Sequence, residues 1–105
     1  MKARTASILF TLSVLATNME TASTDDVITS HIPRVPVQSS AIAAVGYSKR
    51  LHVLEIEFVN GAIYRYLDVP PDVYRDLLAA KSRARFYDQN IRAKYRSVPV
   101  RQGRK

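Results

Sequence analysis

The chain has 105 residues, of which 47% are hydrophobic and 9% aromatic, enough for the core of one small domain. It contains no cysteine, which excludes disulfide bonds, cysteine-based zinc sites and thiol nucleophiles. The net charge of +7 is concentrated at one end, because residues 81–105 hold nine Lys or Arg against Asp88 alone, a local charge of +8. Such a field attracts polyanions: nucleic acid, an anionic membrane or an acidic protein.

The N-terminal residues have the pattern of a leader. Lys2 and Arg4 precede an apolar run at 6–16 that ends in Val14-x-Ala16, which is typical of a secretory signal peptide. The run is shorter than the ~20 residues that a transmembrane helix needs. Two alternatives are a true translation start at Met19 and a leader without function. We therefore expect a cytoplasmic protein, or an exported one if residues 1–16 are a signal peptide.

The domain boundaries follow from composition. Residues up to 36 continue the leader as a polar, proline-containing linker, because Ser, Thr and Asp compete with regular structure and proline removes a donor. We place the folded domain at 37–98 and a short basic tail at 99–105.

Two strands and a hairpin are predicted first along the domain. Residues 41–47 are apolar and bounded by serines, and residues 51–59 alternate apolar and acidic side chains, a period of two. Asn60-Gly61 then gives the strongest short hairpin signal, since both residues tolerate a positive φ. Residues 62–67 return as the partner strand.

Two registers are open for this hairpin. A two-residue loop would pair Ile56 with Arg65 and place the arginine on the apolar face. A three-residue loop at 59–61 would pair Ile56 with Tyr64 and set Glu55 opposite Arg65, a favourable cross-strand charge pair. We choose the three-residue loop.

Two helices are predicted to follow. Val69-Pro70-Pro71-Asp72 opens the first, because proline suits the first turn and an acid suits the positive helix end. It should end near Lys81-Ser82, and Ser82 is a plausible N-cap for a second helix that runs to about Tyr95. The predicted fold class is α+β, a small antiparallel sheet of about three strands packed by two C-terminal helices.

The second helix would carry two stripes of side chains. One stripe is aromatic and aliphatic and contains Tyr87, Ile91 and Tyr95. The other is cationic and contains Arg85, Arg92 and Arg96.

Several short motifs occur in order along residues 37–96: Ser39-Ser40-x-Ile42, Gly46-Tyr47, Tyr64-Arg65-Tyr66, Val69-Pro70-Pro71, Phe86-Tyr87 and Asn90-Ile91-Arg92. Together they resemble the KTSC domain family, which is named after the C-terminus of some lysyl-tRNA synthetases and also occurs as small bacterial proteins. Ser48 departs from the pattern, since an acidic residue often follows the Gly-Tyr pair. The resemblance implies little about activity, and its association with synthetases favours RNA binding.

The candidate nucleic-acid-binding residues are cations, which could neutralise phosphates: Arg65, Arg83, Arg85, Arg92, Lys94 and Arg96. Arg65 should point away from the apolar face of the sheet and onto a wet one. Tyr64, Tyr66 and Tyr87 could stack on unpaired bases. The alternatives are that the tyrosines belong to the core, that the cations form an ordinary solvated face, and that Asn90 bonds the backbone of the loop before its helix.

No motif for catalysis is found. His31 and His52 are isolated, so no metal site is expected, and Glu55 is better explained by pairing with Arg65 than by acid–base chemistry with Glu57. We therefore expect a non-enzymatic module that uses no cofactor, metal or small-molecule substrate. Its predicted partner is RNA or another nucleic acid, and the alternative is a protein-interaction module that docks an acidic partner.

Overall fold

A five-stranded antiparallel sheet forms the centre of the molecule, and its strands lie side by side in chain order. The structure, a computed structural model, describes residues 24–103; the predicted signal peptide and the alternative start at Met19 lie outside them. The elements are α1 (Thr24–Thr29), β1 (Val35–Pro36), β2 (Ile42–Ser48), β3 (Val53–Phe58), β4 (Ile63–Tyr66), α2 (Pro71–Ala79), α3 (Arg83–Asn90) and β5 (Ser97–Arg101). The α+β class is confirmed, but the sheet has five strands rather than about three.

The β3–β4 hairpin has the predicted three-residue loop. Glu55 lies opposite Arg65, and Ile56 lies opposite Tyr64. Gly61 has a φ of 94°, a backbone conformation that is costly for any residue with a side chain. Glycine is therefore the residue that suits this position of the loop. The favourable charge pair and the glycine position together predicted the correct register.

One face of the sheet, called here the inner face, packs against α2 and α3. The fully buried side chains of this core are aliphatic and come from both layers: Ile42, Val45, Leu54, Ile56, Val69, Leu77 and Ile91. Helix α2 begins at Pro71, as predicted, and Ser82 caps α3 by accepting a hydrogen bond from the amide of Arg85. Alternation along β3 therefore directs Leu54 and Ile56 into one continuous core.

Helix α3 ends at Asn90, and the prediction that it runs to Tyr95 is wrong. The amides of Ile91 and Arg92 both donate to the carbonyl of Tyr87, which ends the regular helical ladder, and residues 91–95 continue as turns. Ile91 is fully buried at this point, and the chain then leads into β5. Arg85 and Arg92 consequently do not belong to a single helical stripe.

The predicted linker is part of the fold. Residues 27–36, which we call the N-terminal strap, cross the opposite, outer face of the sheet and end in its edge strand β1. Ile32 is only 2% exposed and packs on Leu51, in the turn before β3, and on Val53, the first residue of β3. Val35 of β1 lies opposite Val45 of β2. The aliphatic residues of the strap are too few and too irregularly spaced to give a periodic signal, which is why this element was not predicted.

The fifth strand was also not predicted. β5 pairs with β4 and continues past Val98, where we placed the end of the domain, through Pro99 to Arg101. Proline in a strand normally argues against pairing, but it is tolerated at the edge of a sheet. Part of the predicted basic tail is therefore an edge strand.

Gly46 allows the strap to approach the sheet closely, and we predict that Gly46→Ala destabilises the protein. A Cβ at this position would lie 2.2 Å from the carbonyl oxygen of Pro33, which is backbone and cannot rotate away. We expect the free energy of unfolding to fall by about 1–3 kcal/mol, measured by urea denaturation.

Gly103→Ala is the matched control. Its Cβ would meet the amide end of the Asn60 side chain, a flexible group that accepts one hydrogen bond from the Ala62 amide, so the loss should be below about 1 kcal/mol. Equal losses in the two variants would contradict the proposed backbone contact at Gly46.

Candidate nucleic-acid interface

Five of the six exposed cations between residues 81 and 101 form two groups along the chain. Lys81 lies in the turn between α2 and α3, and Arg85 lies in the first turn of α3. Arg92, Lys94 and Arg96 lie on residues 91–96, the connector from α3 to β5. All five are exposed, and they lie in the part of the chain that holds most of its positive charge.

Two of the exposed cations between residues 81 and 101 have acidic neighbours. A nitrogen of Arg92 lies 2.8 Å from Asp88, and both side chains are more than half exposed. A nitrogen of Arg101 lies 3.5 Å from the partly buried Glu57, and the same side chain donates to the carbonyl of Gly61. Ion pairs at the surface contribute little, about 0–1 kcal/mol.

Arg83, a predicted phosphate contact, has a structural role instead. Its guanidinium donates to the carbonyl of Leu78 at 2.7 Å and to that of Gln38 at 3.1 Å. The first contact caps the C-terminal end of α2, where a cation is favourable, and the second reaches the chain just before β2. Arg83 holds these elements together.

Arg65 is buried, so the prediction of a wet face was wrong. It is 5% exposed, and its Nε lies 2.6 Å from Glu55, which is itself 2% exposed. The rest of the guanidinium donates to three carbonyl oxygens of the strap region, those of Val27, Ile28 and Ser30. The cross-strand pair with Glu55 is confirmed, but the same contacts remove Arg65 from the surface.

Sequence reasoning missed the residue that completes this cluster. Arg34 donates to Glu55 and also lies 3.2 Å from Glu57, so two arginines share the Glu55 carboxylate. The hydrogen bond with Glu55, followed by the negative charges of Glu55 and Glu57, raises the pKa of Arg34 further above its ordinary value, although burial acts in the opposite direction. One signal was present, because Arg34 is the single Lys or Arg between Arg4 and Lys49.

The predicted stacking residues are mainly core residues. Tyr66 is 3% exposed, and its hydroxyl bonds that of Tyr87 at 2.5 Å with the rings edge to face. Tyr87 also packs edge-to-face on Phe58. Tyr64 is half-buried and borders an open groove of about 510 Å³ beside Phe58 and Asn60. Tyr64 is thus the one of the three tyrosines that lines this groove.

Asn90 has a local role. Its side-chain amide donates to the carbonyl of Phe86, one turn earlier in α3, at 3.2 Å. The alternative that Asn90 has a structural role gave it a bond to the loop before the helix, whereas the observed bond lies within the last turn of α3.

The described part of the chain lacks two further kinds of feature. No three His, Asp or Glu residues among them are close enough to hold a metal ion. No helix in that range is long and apolar enough to cross a membrane.

We predict that Arg65→Met destabilises the protein by about 3 kcal/mol or more, because removing one member of a buried pair leaves the other charge uncompensated. Arg34 still contacts Glu55, which places the loss at the low end of that range. Urea denaturation measures it. The control is Arg75→Met, which breaks an exposed contact with Asp72 and should cost under about 1 kcal/mol. Similar losses in both variants would contradict the buried role of Arg65.

Alkaline pH should also destabilise the protein through Tyr66. Burial first, and the bond with Tyr87 second, raise the pKa of the Tyr66 hydroxyl above its ordinary value. The unfolded chain loses this proton near pH ~10 while the folded chain keeps it, so stability is retained below about pH 10 and falls above it. Urea titrations between about pH 9 and 11 give the free energy of unfolding at each pH, and it should decline less steeply with pH in Tyr66→Phe than in wild type. Parallel declines would contradict this assignment.

Comparison with known proteins gives concordant matches. The family model of the KTSC domain matches residues 38–95. A protein of Tsukamurella paurometabola is 46% identical over 65 residues, which are 62% of this chain and 97% of that protein. A lysine–tRNA ligase of Nostoc punctiforme is 34% identical over 77 residues, 73% of this chain but 13% of the ligase.

A solved structure shares the fold. The crystal structure of a KTSC domain protein from Yersinia pestis superposes with a TM-score of 0.63 at 35% identity, covering 67% of this chain and 99% of that one. The family model covers more than half of the chain, and it includes β2, β3, β4, α2 and α3. The chain therefore belongs to the KTSC domain family.

Proposed function

We propose that this protein binds RNA through the exposed cations of α3 and the connector at 91–96. The observation that carries the proposal is the charge distribution: six of the seven Lys and Arg residues between 81 and 101 are exposed, and a single acid, Asp88, lies in that range. A surface of this kind attracts phosphates and releases their counterions.

The burial of Arg65 and the structural contacts of Arg83 refine the proposed site. The residues left to contact phosphate are exposed: Lys81, Arg85, Arg92, Lys94, Arg96 and Arg101. Lysine and arginine at exposed positions keep their side chains mobile and can follow an irregular backbone. This favours recognition of the phosphate chain rather than of a base sequence.

Of the three tyrosines predicted to stack on bases, Tyr64 is the one that remains a candidate. Its ring borders the open groove beside Phe58, where an unpaired base could stack, whereas Tyr66 and Tyr87 bond each other in the core. Unpaired bases are available in single-stranded RNA and in loops. The related region of a lysine–tRNA ligase lends further support, since that enzyme by its name acts with tRNA.

The proposal predicts binding of fluorescent single-stranded RNA that weakens with salt. With about four phosphate contacts, a fourfold rise in salt should reduce affinity roughly 50-fold. The triple variant Arg85→Ala/Arg92→Ala/Arg96→Ala should lose at least ~10-fold at low salt. Fluorescence anisotropy at about 50 and 200 mM salt measures both effects.

Lys49→Ala/Arg50→Ala/Arg75→Ala is the matched control. It removes the same three positive charges from exposed positions on the β2–β3 turn and on α2, so the net charge of the two variants is equal. A control that loses as much affinity as the first variant would show that only net charge matters. Absence of RNA binding by the wild type would sink the proposal and leave an acidic protein as the candidate partner of these cations.

A further inference from the structure

The outer face of the sheet holds the strap by contacts of the kind that bind a peptide. Arg65 donates hydrogen bonds to three backbone carbonyl oxygens, which a peptide of any sequence could supply. Glu55 and Glu57 together hold one arginine, Arg34. Leu51 and Val53 receive one aliphatic side chain, Ile32.

Gly46 completes this acceptor surface. The missing side chain lets the carbonyl of Pro33 lie directly on β2, and a Cβ would displace it. The surface thus offers a slot for main chain, a pocket for an aliphatic residue and a pair of carboxylates for an arginine. The order of these features corresponds to Ile32-Pro33-Arg34.

The strap lies outside the part of the chain that defines the family. The family match begins at residue 38, after the strap ends. The acceptor residues Gly46, Glu55 and Arg65 lie inside the family match, whereas the segment that they hold lies outside it.

One ion pair on this face does not depend on the strap. Glu55 and Arg65 lie opposite each other on neighbouring strands and would keep their contact if the strap opened. The strap is held mainly by polar contacts, and it contributes few apolar side chains, Ile32 and the half-buried Val27. A segment with so little apolar burial opens at a lower free energy than the strands beneath it.

We propose that the outer face is a peptide-acceptor site and that the strap occupies it as an intramolecular ligand. The partner that it fits in trans is an extended segment of another protein with an aliphatic residue two positions before an arginine. Such a segment would bind only as the strap opens, so the strap regulates access to the site. This surface is built on elements other than α3 and the connector, and among the cations proposed to bind RNA Arg101 borders it, 3.5 Å from Glu57.

The test uses a fluorescein-labelled peptide of residues 24–37 and the full-length chain. The variant Ile32→Ala/Arg34→Ala keeps the acceptor residues but weakens its own strap, so it should bind the peptide at least tenfold more tightly than wild type. His31→Ala/Val35→Ala changes two exposed strap residues and should behave as wild type. A peptide carrying Arg34→Glu should lose at least tenfold in affinity to the first variant.

Two results would overturn the proposal. The first is a folded Ile32→Ala/Arg34→Ala variant, with native circular dichroism, that binds the peptide no better than wild type. The second comes from hydrogen exchange on the wild type, which needs no variant to fold. Strap amides should exchange at least tenfold faster than those of β3, and equal rates would make the strap an inseparable layer of the fold.

Discussion

The buried ion pair of Glu55 and Arg65 is the constraint on which the rest of the structure depends. Two charges enclosed between a sheet and its cover are costly unless their hydrogen-bonding groups are satisfied. Glu55 meets this requirement with two arginines, and Arg65 meets it with three carbonyl oxygens. The cross-strand contact between Glu55 and Arg65 therefore fixes the hairpin register. The contacts of the same two residues with the strap fix the position of the strap.

The two faces of the sheet are consequently built from different interactions. The inner face is closed by aliphatic and aromatic packing against α2 and α3, where shape decides the fit. The outer face is closed by directional polar contacts around one small aliphatic cluster. Packing of the first kind tolerates little rearrangement, whereas contacts of the second kind can be exchanged for equivalent ones from another chain.

The sequence predicted the parts of the fold that have a local or paired signal. The hairpin register followed from Gly61 and from the opposite charges of Glu55 and Arg65, and the start of α3 followed from Ser82. The end of α3 was misjudged because Tyr87, Ile91 and Tyr95 keep helical spacing even where the chain continues as turns. Burial of Arg65 could not be predicted, since the carbonyls that surround it belong to a segment whose aliphatic residues, Ile32 and Val27 among them, show no periodic pattern. Exposure of Arg85 and Arg92 agreed with expectation, but their common helical face did not exist.

The prolines of the two outermost strands have a consequence for assembly. Among the described residues, β1 and β5 are the outermost strands of the sheet, and each contains a proline, Pro36 and Pro99. A proline presents no N–H to an incoming strand, and β1 is only two residues long. Neither strand is thus a good template for another strand, which protects the sheet against growing into edge-to-edge polymers.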